Sequence, residues 1–167
     1  MSTLSLHICR ADYANARHAQ VLVDLLDAFA QDPMGGGESL SDFAKQNLVA
    51  CLAARPQAFS VLAFADVEEA QPLGLVNCIE GFSTFACRPI VNVHDVVVLA
   101  AHRGQRVAER MFDLVHAMAQ ERGACKLTLE LLSGNPAALR LYTRMGFAPY
   151  QLDPAAGSAQ LLQKWLD

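Results

Sequence analysis

Hydrophobic positions along this chain change period several times, and each change marks an element. Leu4, Leu6 and Ile8 alternate with Ser5, His7 and Cys9, which predicts a half-buried strand over 4–10. The period then becomes helical. Asp12 can cap a helix running to about Ala30, with Ala19, Leu22, Val23, Leu26 and Phe29 as its apolar stripe. Residues 32–38, DPMGGGE, break that helix. Three consecutive glycines make this the most flexible point expected in the chain, either a linker between helices or a lid beside a substrate. Ser39 or Ser41 caps a second helix to about Arg55, which Pro56 ends. Strands follow at 59–66 and 72–82 around the charged turn 67–71, and Gly74 predicts a bulge or a close approach.

Residues 92–115 organise the rest. Val96, Val97, Val98 and Leu99 form an apolar run suited to a strand covered on both faces. From Gln105 the spacing turns helical: Val107, Met111, Leu114, Val115 and Met118 recur, leaving Glu109, Arg110 and Asp113 outside. Gly123 suits the left-handed end of that helix. A strand over 126–132 places Leu127, Leu129 and Leu131 on one side. Asn135 and Pro136 open a last helix carrying Ala138, Leu141, Tyr142 and Met145, which Gly146 closes. Residues 147–151 and 159–166 predict a terminal hairpin around 153–157. The order is β-α-α-β-β-β-α-β-α-β-β: one domain over 1–167, with a mixed sheet and helices on both faces, in the α/β to α+β range.

Composition narrows the class. At 167 residues, 53% hydrophobic and 18% charged, the chain can bury one full core. No apolar run approaches the roughly 20 residues of a membrane helix, and the start lacks the pattern of a signal peptide. Five cysteines, odd in number and without a C-x-x-C pair, read as reduced thiols in a cytoplasmic protein. Cys78 and Cys125 fall in apolar strand patterns and read as core. A net charge of −4 gives no basic footprint for nucleic acid, and leaves room for a cationic small substrate. His94 and His102 lack metal-ligand spacing with any Cys or Asp, so no metal is expected.

The candidate chemistry begins at the strand-to-helix joint, Arg103-Gly104-Gln105-Arg106-Val107-Ala108. The first turn of a helix has unpaired N–H groups and the positive end of the helix dipole, so it can hold a phosphate. Gly104 lets a ligand approach the main chain, and Arg103 and Arg106 bring positive charge. This window resembles the acetyl-CoA-binding segment of the GCN5-related N-acetyltransferases (GNAT), through Val98, Arg103, Gly104 and Ala108. Two positions depart: Ala100 stands where proline is usual, and Arg106 where the family has its middle glycine. An αR conformation at the helix start is open to any residue, so Arg106 is expected to keep the cradle and to swing clear of the pyrophosphate or bind it.

A second segment carries the rest of the resemblance: Glu130, then Asn135, Tyr142, Gly146 and Phe147 at the family's spacings. A nucleophilic amine must first lose a proton, since an alkyl ammonium has a pKa of about 10.4. Glu130 could accept that proton directly or through water, and Tyr142, a phenol of pKa about 10, could donate one to a departing thiolate. Asn135 could hydrogen-bond an extended amide chain such as pantetheine. Each has a plain structural reading beside this one: solvated strand residue, core tyrosine, helix cap.

The resemblance implies a GNAT-like, mostly antiparallel sheet and an N-acetyltransferase using acetyl-CoA. The acetyl group would pass by direct attack to a primary amine of a small molecule. It further implies Val96, Val97, Val98, Arg103, Gly104, Gln105, Arg106, Val107, Ala108 and Asn135 at the cofactor, and a homodimer. The stretch Gly81-Phe-Ser-Thr-Phe-x-x-Arg-Pro89 with His94-Asp95 resembles the diamine and thialysine acetyltransferase branch, which points to a polyamine or lysine-like acceptor met by His94 and Asp95. The competing readings are a non-catalytic acyl-CoA-binding domain on the same fold, and a nucleotide-binding α/β domain, disfavoured because no G-x-G-x-x-G or G-x-x-x-x-G-K occurs.

Overall fold

The structure is a computed structural model describing residues 6–153, 155, 157 and 159–166. Leu4 and Ser5 of the expected first strand lie outside the described residues, as do Pro154 and Ala156 of the expected terminal loop. By its internal packing the chain divides into two compact units, residues 1–129 and 130–167.

The first unit holds a five-stranded sheet in the order β1-β2-β3-β4-β5, with strands His7–Arg10, Ala58–Phe64, Pro72–Ser83, Arg88–Val98 and Leu127–Leu129. Neighbours are antiparallel except β4 and β5, which are parallel. Helix α1, Ala16–Gln31, packs on one face, where Val21, Leu22 and Leu25 meet Leu62, Phe64, Leu75 and Val97. Helix α3, Val107–Glu121, covers the other face: Gly74, adjacent to Leu75 and so on the opposite side of the pleat, sits against Met111. Gly74 is therefore a close-approach glycine. A Cβ there would lie 2.6 Å from the Val97 carbonyl oxygen and 2.8 Å from Met111 Cε.

Helix boundaries follow local caps. Asn15, not Asp12, caps α1, its side chain accepting the N–H groups of Arg17 and His18; Asp12 instead closes a turn onto the N–H of Ala14. The buried stripe of α1 is His18, Val21, Leu22 and Leu25, rotated from the expected one. Adjacent apolar residues at Val21-Leu22-Val23 and Leu25-Leu26 allow two stripes, and the buried His18, which the hydrophobic pattern could not count, marks the one used. Ser41 caps helix α2, Asp42–Ala53. Asp27 of α1 braces its approach, accepting from Ser39 Oγ (2.7 Å), the Leu40 N–H (2.8 Å) and Lys45 Nζ (2.9 Å). The Lys45 ammonium beside it, with the Ser39 hydroxyl, pulls the Asp27 carboxyl down to about 2. The triple-glycine segment is a hydrogen-bonded turn: Gly35 and Gly37 donate to the Asp32 carbonyl and Glu38 to that of Ala30.

The second unit contains helix α4, Pro136–Arg144. The expected strand over 126–132 stops at Leu129, so Glu130 lies just beyond the ladder. The expected terminal hairpin does not form among the described residues. Residues 147–153 and 159–166 have no strand pairing, and Leu161, Leu162, Trp165 and Leu166 are exposed. Alternation alone supplies no strand partner, and a two-stranded ribbon is marginal without a covering layer.

Candidate active site

The end of β4 is shaped by one extra residue. Asn77 pairs with Asp95 and Cys78 with Val93, so His94 is bulged out of the β3–β4 ladder and lies exposed. The bulge reverses which residues point sideways toward β5. Before it, the Val91 N–H donates toward the β5 side, to the Lys126 carbonyl (3.1 Å); after it, the Leu99 N–H donates to Leu73 on the β3 side (3.0 Å). Alternation then turns the main-chain groups of Val96 and Val98 away from β3. The β5 pairing covers only Val91, Asn92 and Val93. Within residues 1–129, Val96 and Val98 thus face an edge that no strand covers. The side chain of Val97 is buried in the core that anchors this edge.

A single 3-10 turn, Ala100–His102, carries the chain from β4 to the loop before α3. Arg103 is tied back to the strand: its Nε donates to the Val98 carbonyl (3.1 Å) and its terminal nitrogen pairs with Asp32 of the glycine turn (3.1 Å). The Met34 N–H, together with this guanidinium, lowers the Asp32 carboxyl. Gly104 has φ 77°, and Arg106, the N-cap of α3, has φ 61° and ψ 21°. Arg106 therefore takes the left-handed conformation and not the expected αR one. This is the shape a glycine would take, and for an L-residue it costs about 1–2 kcal/mol. The reason is positional: the helix begins at Val107, one residue later than an αR Arg106 would require, so Arg106 turns the chain into the helix instead of joining it. Its side chain is exposed and makes no hydrogen bond or ion pair among the described residues. The amides of Val107 and Ala108 stand at the positive end of α3, ahead of the first intrahelical bond, Arg110 N–H to the Arg106 carbonyl (3.1 Å). Gln105 closes onto Ala101 through its side chain (3.2 Å).

Asp95 ends a polar row across the sheet. It accepts from Asn77 Nδ2 (3.0 Å); Asn77 Oδ1 accepts from Ser60 Oγ (2.6 Å); and Ser60 Oγ is hydrogen-bonded to the Tyr13 hydroxyl (2.9 Å). Ser60 and Asn77 are buried, so every member needs the next, and the row fixes the rotamer of Asp95 beside the bulge. Sequence reasoning did not find this row, because its members are far apart in the chain.

In the second unit, Asn135 Oδ1 accepts the Ala138 N–H (3.1 Å), with Pro136 at the first helical position. Tyr142 is buried, its ring edge-on to Phe147 with centroids 5.9 Å apart, and burial raises its phenol above the ordinary tyrosine range. Glu130 is exposed. The thiols offer no ready nucleophile at two positions: burial, with the nearby carboxylates Glu69 and Asp95, pushes Cys9 up to about 11 and Cys78 to about 12.

Residues 16–147 match the model of the acetyltransferase (GNAT) family. The chain is 37% identical over 65 residues to a streptothricin acetyltransferase of Streptomyces lavendulae, covering 39% of this chain and 34% of that protein. It is 29% identical over 84 residues to an uncharacterized N-acetyltransferase of Bacillus subtilis, covering 50% and 31%. The matched stretches thus span about a third of those curated relatives. The fold resembles the crystal structure of a probable acetyltransferase, with TM-score 0.79, 22% identity, and 96% of this chain and 99% of that one covered. It also resembles an aminoglycoside acetyltransferase from an uncultured soil metagenomic sample, with TM-score 0.73, 14% identity, and 97% and 95% covered.

Proposed function

The chain belongs to the GNAT acetyltransferase family, and we propose that it moves an acetyl group from acetyl-CoA to a primary amine of a small molecule. The observation that carries this reading is continuous within the first unit. The edge of β4 at Val96 and Val98, which no strand of residues 1–129 covers and where Arg103 holds the Val98 carbonyl, leads through the left-handed turn at Arg106 into the N-terminus of α3. An extended chain with amide groups could add to such an edge as a strand does. The diphosphate that follows would meet the amides of Val107 and Ala108, the Gly104 backbone and the Arg106 guanidinium. Acetyl-CoA, when bound, supplies the activated thioester. Arg103 holds the loop to β4 while Arg106 stays available, so the two arginines divide the work.

The proton steps fall to residues assigned by the family pattern. Glu130 takes the amine proton through water, Tyr142 protonates the departing thiolate, and Asn135 bonds the pantetheine arm. Attack is direct, without a covalent enzyme intermediate. The match over 16–147 runs across both compact units, which supports one functional domain over 1–167. A basic acceptor fits the Asp95 carboxylate beside the exposed His94, and the streptothricin and aminoglycoside relatives widen the choice beyond polyamines and lysine-like amines. The family resemblance supports a homodimer, which equilibrium sedimentation tests, and the free cysteines fit a cytoplasmic location.

The second reading is a non-catalytic acyl-CoA-binding domain, favoured by one observation, arginine at a position the family gives to glycine. A thermal-shift titration with acetyl-CoA, CoA and ATP, followed by an amine screen for thiol release, separates the two. A ligand at 100 times its dissociation constant adds about 2.7 kcal/mol, visible as several degrees. Stabilisation by both CoA ligands together with amine-dependent turnover is expected. Stabilisation with no turnover on diamines, polyamines, lysine analogues or aminoglycosides would favour the binding domain.

A further inference from the structure

At the β1 edge of the sheet, three side chains that acetyl transfer does not use converge on one carboxylate. Glu69 sits in the β2–β3 turn with φ 56°, a second non-glycine residue held in the left-handed conformation. Arg17 of α1 clamps that turn, donating to the Glu69 carbonyl (3.1 Å) and the Ala70 carbonyl (2.9 Å). The held carboxylate splits its oxygens. Oε2 faces His18 Nε2 at 2.9 Å; Oε1 faces His7 Nε2 at 3.4 Å and Cys9 Sγ at 3.9 Å. His18 Nδ1 accepts the Asp12 N–H (2.9 Å), which puts the ring proton on Nε2 and makes His18 a donor to Glu69, not a ligand. That leaves His7, Cys9 and Glu69, whose ligand atoms lie within 4.8 Å of one another.

We propose that His7 Nε2, Cys9 Sγ and Glu69 Oε1 form a site for a zinc-class divalent cation, with His18 as the residue that positions the carboxylate. Nitrogen, thiolate and one carboxylate oxygen are the donor set of zinc and its neighbours; calcium and magnesium prefer oxygen alone. A tetrahedral ion at the usual bond lengths needs ligand atoms roughly 3.3–3.5 Å apart. The His7–Glu69 edge already has that length, the Cys9–Glu69 edge must shorten by a few tenths of an ångström, and the His7–Cys9 edge, within 4.8 Å, closes further by side-chain rotation. His7 and Glu69 keep 30% and 22% of their side-chain surface exposed, which leaves solvent access for a water as fourth ligand. Binding converts the Cys9 thiol to a metal thiolate and releases its proton to solvent. The ion would tie β1, which β2 and β3 separate from β4, to the β2–β3 turn, so its role is to fasten that edge of the sheet. The signal in the sequence is His7-x-Cys9 on one side of the first strand; Glu69 and His18 join it only on folding.

The test is Co(II) titration of the metal-stripped 167-residue chain. A thiolate-to-cobalt band in the near ultraviolet, saturating at about one equivalent, is expected, with zinc displacing cobalt. The band should vanish in Cys9→Ser and persist in Cys87→Ser. His18→Gln should keep the band with affinity weakened about 10–100-fold. Should Cys9→Ser fail to fold, Glu69→Gln in the turn serves instead, and zinc should raise the melting temperature of the wild type but not of that variant. No near-ultraviolet band on folded protein overturns the proposal. So does equal cobalt affinity in the wild type and Glu69→Gln.

Discussion

At Arg106 the chain departs from the family's glycine, yet the backbone takes the left-handed turn that glycine would take. At Glu130 the residue agrees with the family, yet the ladder ends one position earlier, at Leu129, and the side chain is exposed. The two segments carrying the resemblance thus differ in where it resides. In residues 94–108 it is in the main chain: a bulge at His94, an edge at Val96 and Val98 that no strand of residues 1–129 covers, and the amides of a helix start. In residues 130–147 it is in the side chains: a capping Asn135 and a buried Tyr142 whose phenol is kept protonated by burial. Main-chain recognition tolerates a changed residue as long as the conformation survives. Side-chain chemistry does not.

Substitutions sharpen that contrast, and the largest effect belongs to the side-chain half. Tyr142→Phe should lower kcat by about 100-fold or more while leaving acetyl-CoA affinity within a few fold, read from steady-state thiol release. Because burial raises the Tyr142 phenol, the wild-type rate should hold up to the ordinary tyrosine range near pH 10 and fall only above it. The same shift makes the folded state lose stability as pH rises past that point, and Tyr142→Phe should remove this loss. A Tyr142→Phe variant as fast as the wild type would break the contrast.

In the main-chain half the strongest lever is Gly74→Ala. The new Cβ would press on the Val97 carbonyl and Met111 Cε, so a loss of about 1–3 kcal/mol is expected in urea unfolding, together with weaker CoA binding as β4 shifts. Arg106→Gly should act the other way. It relieves the left-handed strain but adds freedom to the unfolded chain, for a net gain of about 1 kcal/mol or less, seen as a rise in melting temperature. The smallest effect lies outside both segments. Asp27, depressed from 3.8 to about 2 by Lys45 and Ser39, stabilises the α1–α2 brace above pH 3.8 and loses that contribution as pH falls toward 2. Asp27→Asn should flatten the acid limb of a pH-dependent melting curve in that window.

Hydrophobic period carried most of the fold. It placed the helix carrying Met111, Val115 and Met118, the strand carrying Val96 to Val98, and the α4 cap at Asn135, because each depends on neighbours within a turn or two. It failed where the deciding partner is distant. The α1 stripe turned on His18, whose partner Glu69 is far along the chain. The terminal alternation at Leu161 and Leu166 found no sheet to join. The bulge at His94 is invisible in the run of residues 92–98, since it arises from register against β3. The turn conformation at Gly104 could be read locally. The left-handed Arg106, the row behind Asp95 and the ties of Arg103 to Asp32 needed coordinates.

Calorimetric titration of acetyl-CoA into the wild type and Arg106→Gly tests the central claim that the main chain of 96–108 holds the cofactor despite the arginine. The prediction is binding by both, with dissociation constants within about tenfold, or ~1.4 kcal/mol, of each other. Binding by Arg106→Gly alone would mean that the arginine closes the cradle, and no binding by either would contradict the cofactor site itself.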